Sequence, residues 1–206
     1  MKLYHGTTEA AFRAIEAAGA ILPRRKVGVN NWTHTGAPSH PDAVYLTECY
    51  APYFGMTALT DAVLAEDPDV RVAVIEIDAA RIVAGLTADE DALEQATRTG
   101  SINKSQLRHR TAVARGRLKK LAGTEAWSDS LAYMGTCAHM GPIPVDAFSR
   151  VALVSIRDNP WWAMNAMQPS ITRMNYLFCG DEYRALTAQA FELGEVREFN
   201  FLENNC

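Results

Sequence analysis

The residues between Gln95 and Thr124 carry the most concentrated chemistry in the chain. This stretch holds no Asp or Glu and eight basic residues: Arg98, Lys104, Arg108, Arg110, Arg115, Arg117, Lys119 and Lys120. The other twelve basic residues face all twenty-four acids, so a local +8 sits within a remainder at −12. Concentrated positive fields attract polyanions. The segment therefore reads either as a nucleic-acid contact, carried by Arg108, Arg110, Arg115, Arg117, Lys119 and Lys120, or as a solvated helix face beside the acidic remainder. A second basic run, Arg24-Arg25-Lys26, lies in a loop. Arginine forks match phosphate oxygens, and a merely solvated loop is the alternative. Trp161-Trp162 either stack bases or pack the C-terminal segment onto the domain. His5, at the end of a short strand, is by itself a core or edge histidine. His34 and His40 have polar neighbours and receive no role.

Composition bounds what these residues can belong to. A chain of 206 residues is one domain with room for a sizeable core. With 48% apolar and 21% charged residues it has a soluble globular composition. Apolar runs such as Val151–Val154 fall far short of the ~18 residues that a membrane span needs. Met1–His5 opens no signal-peptide core, so the expected compartment is the cytoplasm. Cys49, Cys137, Cys179 and Cys206 show no C-x-x-C spacing, which argues against a zinc site and a disulfide framework. No metal is expected, and Cys137 reads as a buried strand cysteine rather than a nucleophile.

The elements that must position the candidates can be read along the chain. Lys2–His5 predicts a short strand. Thr7 and Thr8 are good N-caps for a helix through Phe12 and Ile15 that ends at Gly19. Pro23–Pro41 predicts a long functional loop or lid. Ala43–Thr47 predicts a second strand, Pro52–Leu64 a helix, and Val70–Ile77 the clearest strand, rich in β-branched residues. Leu86–Gly123 predicts helices broken at Gly100. Leu131–His139 predicts a strand closed by Gly141-Pro142-Ile143-Pro144, since proline cannot donate to a ladder. Ser149–Ile156 predicts another strand, 181–193 a helix and 196–202 a last strand. There is no βαβ rhythm and no glycine-rich phosphate loop, so a doubly wound nucleotide fold is disfavoured and α+β expected.

Two segments resemble the ADP-ribosyltransferase superfamily. Leu3-Tyr4-His5-Gly6-Thr7-Thr8, followed by a helix to Gly19, is similar to the strand of poly(ADP-ribose)-polymerase-like and tRNA 2′-phosphotransferase-like enzymes in which a His-Gly dyad opens the nicotinamide pocket. Ala43-Val44-Tyr45-Leu46-Thr47, followed by Ala51-Pro52-Tyr53-Phe54, resembles the family's tyrosine strand and the helix after it. Val70–Asp78 fits the next core strand. Gly141–Phe148 resembles a proline turn of the 2′-phosphotransferases and of DNA-targeting ADP-ribosyltransferase toxins. The resemblance covers roughly residues 1–156, and the order and spacing of the motifs carry most of it.

The resemblance implies an NAD-consuming site. The chemistry is displacement of nicotinamide from the anomeric carbon through an oxocarbenium-like transition state. His5 is expected to donate a hydrogen bond to the adenosine-side ribose, the Gly6 backbone to hold the carboxamide, and Thr7 to sit beside it. Tyr45 is expected to stack on the nicotinamide, with Tyr53 as a second aromatic. Arg25, with Arg24 and Lys26, is expected to clamp the pyrophosphate. The family's glutamate belongs on the strand before the proline turn, but Leu131–His139 has no acid. Thr136 falls near that position, and its hydroxyl can hold a ribose but cannot serve as a base. Glu125 and Asp129 lie upstream if the register differs.

The expected fold is thus an α+β, ADP-ribosyltransferase-like split mixed sheet around an NAD cleft. The domain spans 1–156 with a basic helical insertion at 87–123, and a C-terminal extension at 157–206 packs on it. The expected activity is transfer of ADP-ribose from NAD to a macromolecule, a nucleic acid or a protein, with nicotinamide released. The sequence leaves open a toxin, a phage effector and a housekeeping enzyme. The alternatives are a tRNA 2′-phosphotransferase-like enzyme with converging arginines, Arg150 among the candidates; an inactive NAD- or nucleic-acid-binding module of this fold; or a plain α+β binding domain.

Overall fold

The structure is a computed structural model and describes residues 1–28, 39–59, 69–96, 104–167 and 172–199. A seven-stranded sheet runs in the order β5-β6-β3-β1-β4-β8-β9. Its strands are β1 (Lys2–Thr8), β3 (Ala43–Thr47), β4 (Arg71–Asp78), β5 (Leu86–Ala88), β6 (Thr136–Met140), β8 (Phe148–Ser155) and β9 (Glu195–Glu198). Neighbours pair antiparallel throughout, so the sheet expected to be mixed is antiparallel. A second, two-stranded sheet pairs β2 (Ala20–Ile21) with β7 (Ile143–Pro144), which ties the end of the first helix to the proline turn. The α+β class holds.

The chain turns directly from β1 into helix α1 (Glu9–Ala18). The Thr8 hydroxyl accepts from the Ala11 N–H at 3.2 Å, Glu9 lies in the positive first turn, and Gly19 closes the helix at φ +71°. Phe12 is its one fully buried side chain. It packs with Leu3, Ile75, Ile77 and Val151 on one face of the sheet. The other face, with Val72, Val74, Ala152 and Val154, is covered by α3 (Ala51–Thr57), α7 (Pro160–Ala166) and α8 (Arg173–Leu193). Trp162 anchors that second core, its indole N–H donating to the Leu186 carbonyl at 2.9 Å. The Trp pair thus divides: Trp162 is buried and Trp161 is exposed.

Several expected elements shift. Residues 131–134 end helix α6 (Ala126–Met134) and the strand begins only at Thr136. Gly135 at φ +72° makes the switch. Sequence reading merged the two because Leu131, Tyr133 and Met134 are apolar in either state. The insertion at 87–123 opens with a sheet strand, β5, before its helices α4 (Glu90–Ala96) and α5 (Lys104–Leu121). The loop after Pro23 begins with a short helix, α2 (Arg24–Val27). Helix α3 ends at Thr57, short of the expected Leu64, with Ala58 and Leu59 already non-helical. Residues 60–64, the break at Gly100, most of the 23–41 loop with His34, and residues 200–206 lie outside the described residues.

Candidate functional site

Strand β1 pairs with β4 along its whole length, from Lys2 opposite Asp78 to Thr8 opposite Val72. On its other side it meets β3 at one described register point, Tyr4 opposite Thr47. The two strands then part, and the His5 ring bridges the opening, its Nδ1 lying 3.1 Å from the Tyr45 carbonyl oxygen. A carbonyl only accepts, so Nδ1 carries the proton and donates, and the neutral ring keeps Nε2 as an acceptor. Burial pushes the His5 pKa down and keeps the ring neutral, with the Tyr45 carbonyl opposing more weakly. The donor expected for a ribose is therefore spent on the backbone, and what His5 offers a hydroxyl is a lone pair.

Helix α3 reaches this junction through Thr47. The Thr47 hydroxyl accepts from the N–H groups of Cys49 at 3.1 Å and Tyr50 at 2.9 Å, turning the chain from β3 into α3. The helix then crosses β1 so closely that a Cβ on Gly6 would lie 1.8 Å from the Ala51 carbonyl oxygen. Only glycine permits this crossing.

Between the parted strands lies a cavity of about 490 Å³. That is within the usual size of a small-molecule site, roughly 300–1,000 Å³. His5, Gly6, Thr7 and Thr8 of β1 line one side, Ala43, Val44 and Tyr45 of β3 another, and Phe54, Arg24 and the small residues of α1 the rest. No carboxylate is among these described lining residues. The Arg24 Nε is buried with no hydrogen-bond partner. A buried guanidinium nitrogen left unbonded on a cavity wall is a site for an anionic oxygen.

Behind Tyr45 sits a buried polar network. The phenol donates to the Glu90 carboxylate, both oxygens lying at 2.6 Å, and accepts from the His40 N–H at 2.8 Å. Arg115 of α5 brings its Nε to 3.5 Å from Glu90. Burial first, and then the Glu90 charge, raise the Tyr45 pKa well above that of a free phenol, so the hydroxyl stays protonated. Burial likewise raises the neighbouring Asp89 carboxyl well above the ordinary aspartate value, with Asp91 and Glu90 adding to the effect.

The structure thus brings His5, Gly6, Thr7 and Tyr45 to one cavity and sends other candidates elsewhere. Tyr53 does not line the cavity. It is buried in the core beneath α3, and its helix neighbour Phe54 faces the cavity instead. Arg25 points out and pairs with Asp42 at 2.7 Å, leaving Arg24 as the inward arginine. Thr136 is buried in the sheet beside Asp89, away from the cavity. Arg115 is held by Glu90. Arg117, Lys119 and Lys120 are exposed, Arg110 is half-buried, and the Arg108 side chain lies outside the described residues. Arg150 is remote from the cavity and forms an ion pair with Glu76 at 2.9 Å. Sequence reasoning missed Glu90, Arg115 as its partner, and Phe54. The one available signal for Glu90 was the acidic start Asp89-Glu90-Asp91 of α4, which helix electrostatics alone explains.

Among the described residues no helix is long and apolar enough to cross a membrane, and no cluster of metal-ligating side chains occurs. Compared with protein-family models, curated proteins and solved structures, the chain finds no match.

Proposed function

We propose that this chain is an NAD-dependent ADP-ribosyltransferase that releases nicotinamide and passes ADP-ribose to a macromolecular acceptor. The observation that carries the reading is the convergence of His5 and Tyr45, forty residues apart, on one cavity through a 3.1 Å hydrogen bond. The unbonded Arg24 Nε on the same wall supports it, because a dinucleotide brings a pyrophosphate to such a donor.

In this reading the Tyr45 ring forms a wall for the nicotinamide, locked by Glu90 and His40. The neutral His5 ring accepts from a ribose hydroxyl at Nε2, and Arg24 holds the pyrophosphate. As the bond between the anomeric carbon and nicotinamide breaks, its electron pair leaves with nicotinamide and positive charge grows on the ribose. Glu90 contributes negative potential from behind Tyr45, at second hand. The acceptor's nucleophilic atom forms the new bond and loses its proton to solvent.

A 2′-phosphotransferase-like reading calls for arginines converging on the site. Arg24 alone among the described arginines lines the cavity, and Arg150 is committed to Glu76. The test is nicotinamide release from labelled NAD by wild type, His5→Ala and Arg24→Ala, with and without a cell lysate. The expected result is release with label transferred to polymer, lost at least ~100-fold in His5→Ala. Arg24→Ala should raise KM about tenfold or more, which at ~1.4 kcal/mol per decade is a modest charge-assisted contact. NAD binding without release in wild type would make the chain a binding module. Release only with 2′-phosphorylated RNA would favour the phosphotransferase.

A further inference from the structure

Helix α5 has two faces with different tasks. Ala114 and Leu118 are buried, Leu118 packing with Ala43 and Ala138 beside Tyr45. The Thr87 hydroxyl fixes the same face by donating to the Leu118 carbonyl at 2.8 Å. Arg115 points to Glu90, and so joins the network behind the cavity wall. The opposite face exposes His109, Val113, Arg117 and Lys120, which follow one another at helical spacing, with Lys119 alongside.

The exposed face carries three neighbouring cations without compensation. Elsewhere on the described surface, Arg13, Arg25, Arg157, Arg184 and Arg197 are exposed and each holds a carboxylate, Arg81 donates to the Asp146 carbonyl, and Lys26 stands without an ion pair as a single charge. Arg117, Lys119 and Lys120 form no ion pair among the described residues, although the chain outside this segment has an excess of twelve acids. Neighbouring like charges on a helix repel, so the arrangement is maintained at a cost in stability.

We infer that this face docks a nucleic-acid strand and that the acceptor presented at the cavity is a nucleic acid. The role as acceptor rests on the transferase reading above; the docking does not. The chemistry favours a polyphosphate over an acidic protein. From Arg117 to Lys120 the helix presents three exposed cations within about 5 Å of axial rise, at ~1.5 Å per residue, with no acid among them. Protein partners draw most of their affinity from a few desolvated, mostly aromatic anchors. Phosphate contacts need none, only cations along a line. The same helix meets the network behind the cavity wall through Arg115, Glu90 and Tyr45, with its exposed cations on the side away from that wall.

The experiment measures fluorescence anisotropy of labelled single-stranded DNA and RNA 20-mers with the full chain from about 50 to 200 mM salt. The variants are R117Q/K119Q/K120Q, a control R13Q/R157Q/R197Q of equal charge change, and H5A. Three phosphate contacts on a single strand give a log–log slope of about −2, hence roughly a 20-fold loss of affinity over that salt range. The α5 triple variant should lose that affinity and slope, while the control and H5A keep both. Binding absent at low salt, or equal loss in the control, would overturn the docking face. Displacement by polyglutamate as effective as by unlabelled DNA of equal charge would overturn the nucleic-acid assignment. Docking with the expected slope in a chain that releases no nicotinamide would keep the surface and remove only the transferase reading.

Discussion

Glu90 offers the sharpest test of how the cavity wall is built. The residue is 4% exposed, and its carboxylate accepts from Tyr45 and faces Arg115 at 3.5 Å. Glu90→Ala removes a charged acceptor from the phenol, a loss of about 1.5–3 kcal/mol. It also leaves the largely buried Arg115 guanidinium without its carboxylate. Breaking a well-formed buried pair costs about 3–5 kcal/mol, but the 3.5 Å separation and the partial exposure of Arg115 place this one well below that. Together the loss should be about 3 kcal/mol. At roughly 2–4 °C per kcal/mol for a chain of this size, Tm should fall by about 6–12 °C. Glu90→Gln keeps the shape and one acceptor oxygen for Tyr45, and should lose about 1 kcal/mol. Both numbers come from urea unfolding with matched m-values, followed by thermal melts. In a Glu90→Ala protein that remains folded, the Tyr45 ring should lose its fixed pose, and the KM for NAD should rise more than kcat falls. A Glu90→Ala midpoint within 0.5 kcal/mol of wild type, or Gln as damaging as Ala, would refute the account of Tyr45 as a ring locked from behind.

Two further predictions concern β1 and the start of α4. Gly6→Ala should cost about 3 kcal/mol or more, because its Cβ meets backbone of α3 that cannot swing aside. Gly19→Ala has open space and only its φ of +71° to resist, so it should cost about 1–2 kcal/mol; equal losses in urea would contradict the close-approach explanation. Asp89→Asn should stabilise the protein in a pH-dependent way. The folded carboxyl titrates above its ordinary value of 3.8, so the folded state holds the proton longer and stability falls as pH rises past 3.8. Asn keeps the acceptor for the Asp91 N–H, which lies 2.9 Å from Oδ1, and removes the charge. Its Tm gain should therefore be absent near pH 3 and grow toward neutrality. A gain that shrinks with rising pH would show that Asp89 is stabilised as a carboxylate.

The local signals in the sequence were strong where one residue sufficed to set the backbone. Thr8 before Glu9 and Gly19 after Ala18 bound α1, and the β-branched run of β4 marks the strand beside β1. The His5 and Tyr45 strands were legible because each carries a short polar motif on an otherwise apolar segment. What failed depended on side-chain direction. Arg24 and Arg25 are equivalent in sequence, and only the single turn of α2 decides that one faces the cavity while its neighbour pairs with Asp42. Tyr53 and Phe54 exchange roles for the same reason: adjacent helical positions lie about 100° apart. Glu90 was hidden because its partner, Tyr45, is forty-five residues away, and no spacing rule links a helix start to a strand on the far side of β6. The basic segment was read as one field, but folding divides it by helical phase into Arg115 inside and Arg117, Lys119 and Lys120 outside.

The parting of β1 from β3 has a consequence for aggregation as well as for ligands. A strand side without a partner is normally a hazard at the rim of a sheet, where any extended chain can add to it. Here the open side lies at the centre of a seven-stranded sheet, with β6 and β5 beyond β3 on one flank and β4, β8 and β9 on the other. A foreign strand cannot enter, because the opening is closed at Tyr4–Thr47 and spanned by the His5 ring. Among the described residues the unpaired side of β1 is thus an interior edge, shielded from the edge-to-edge pairing that remains open to β5 and β9 at the two rims.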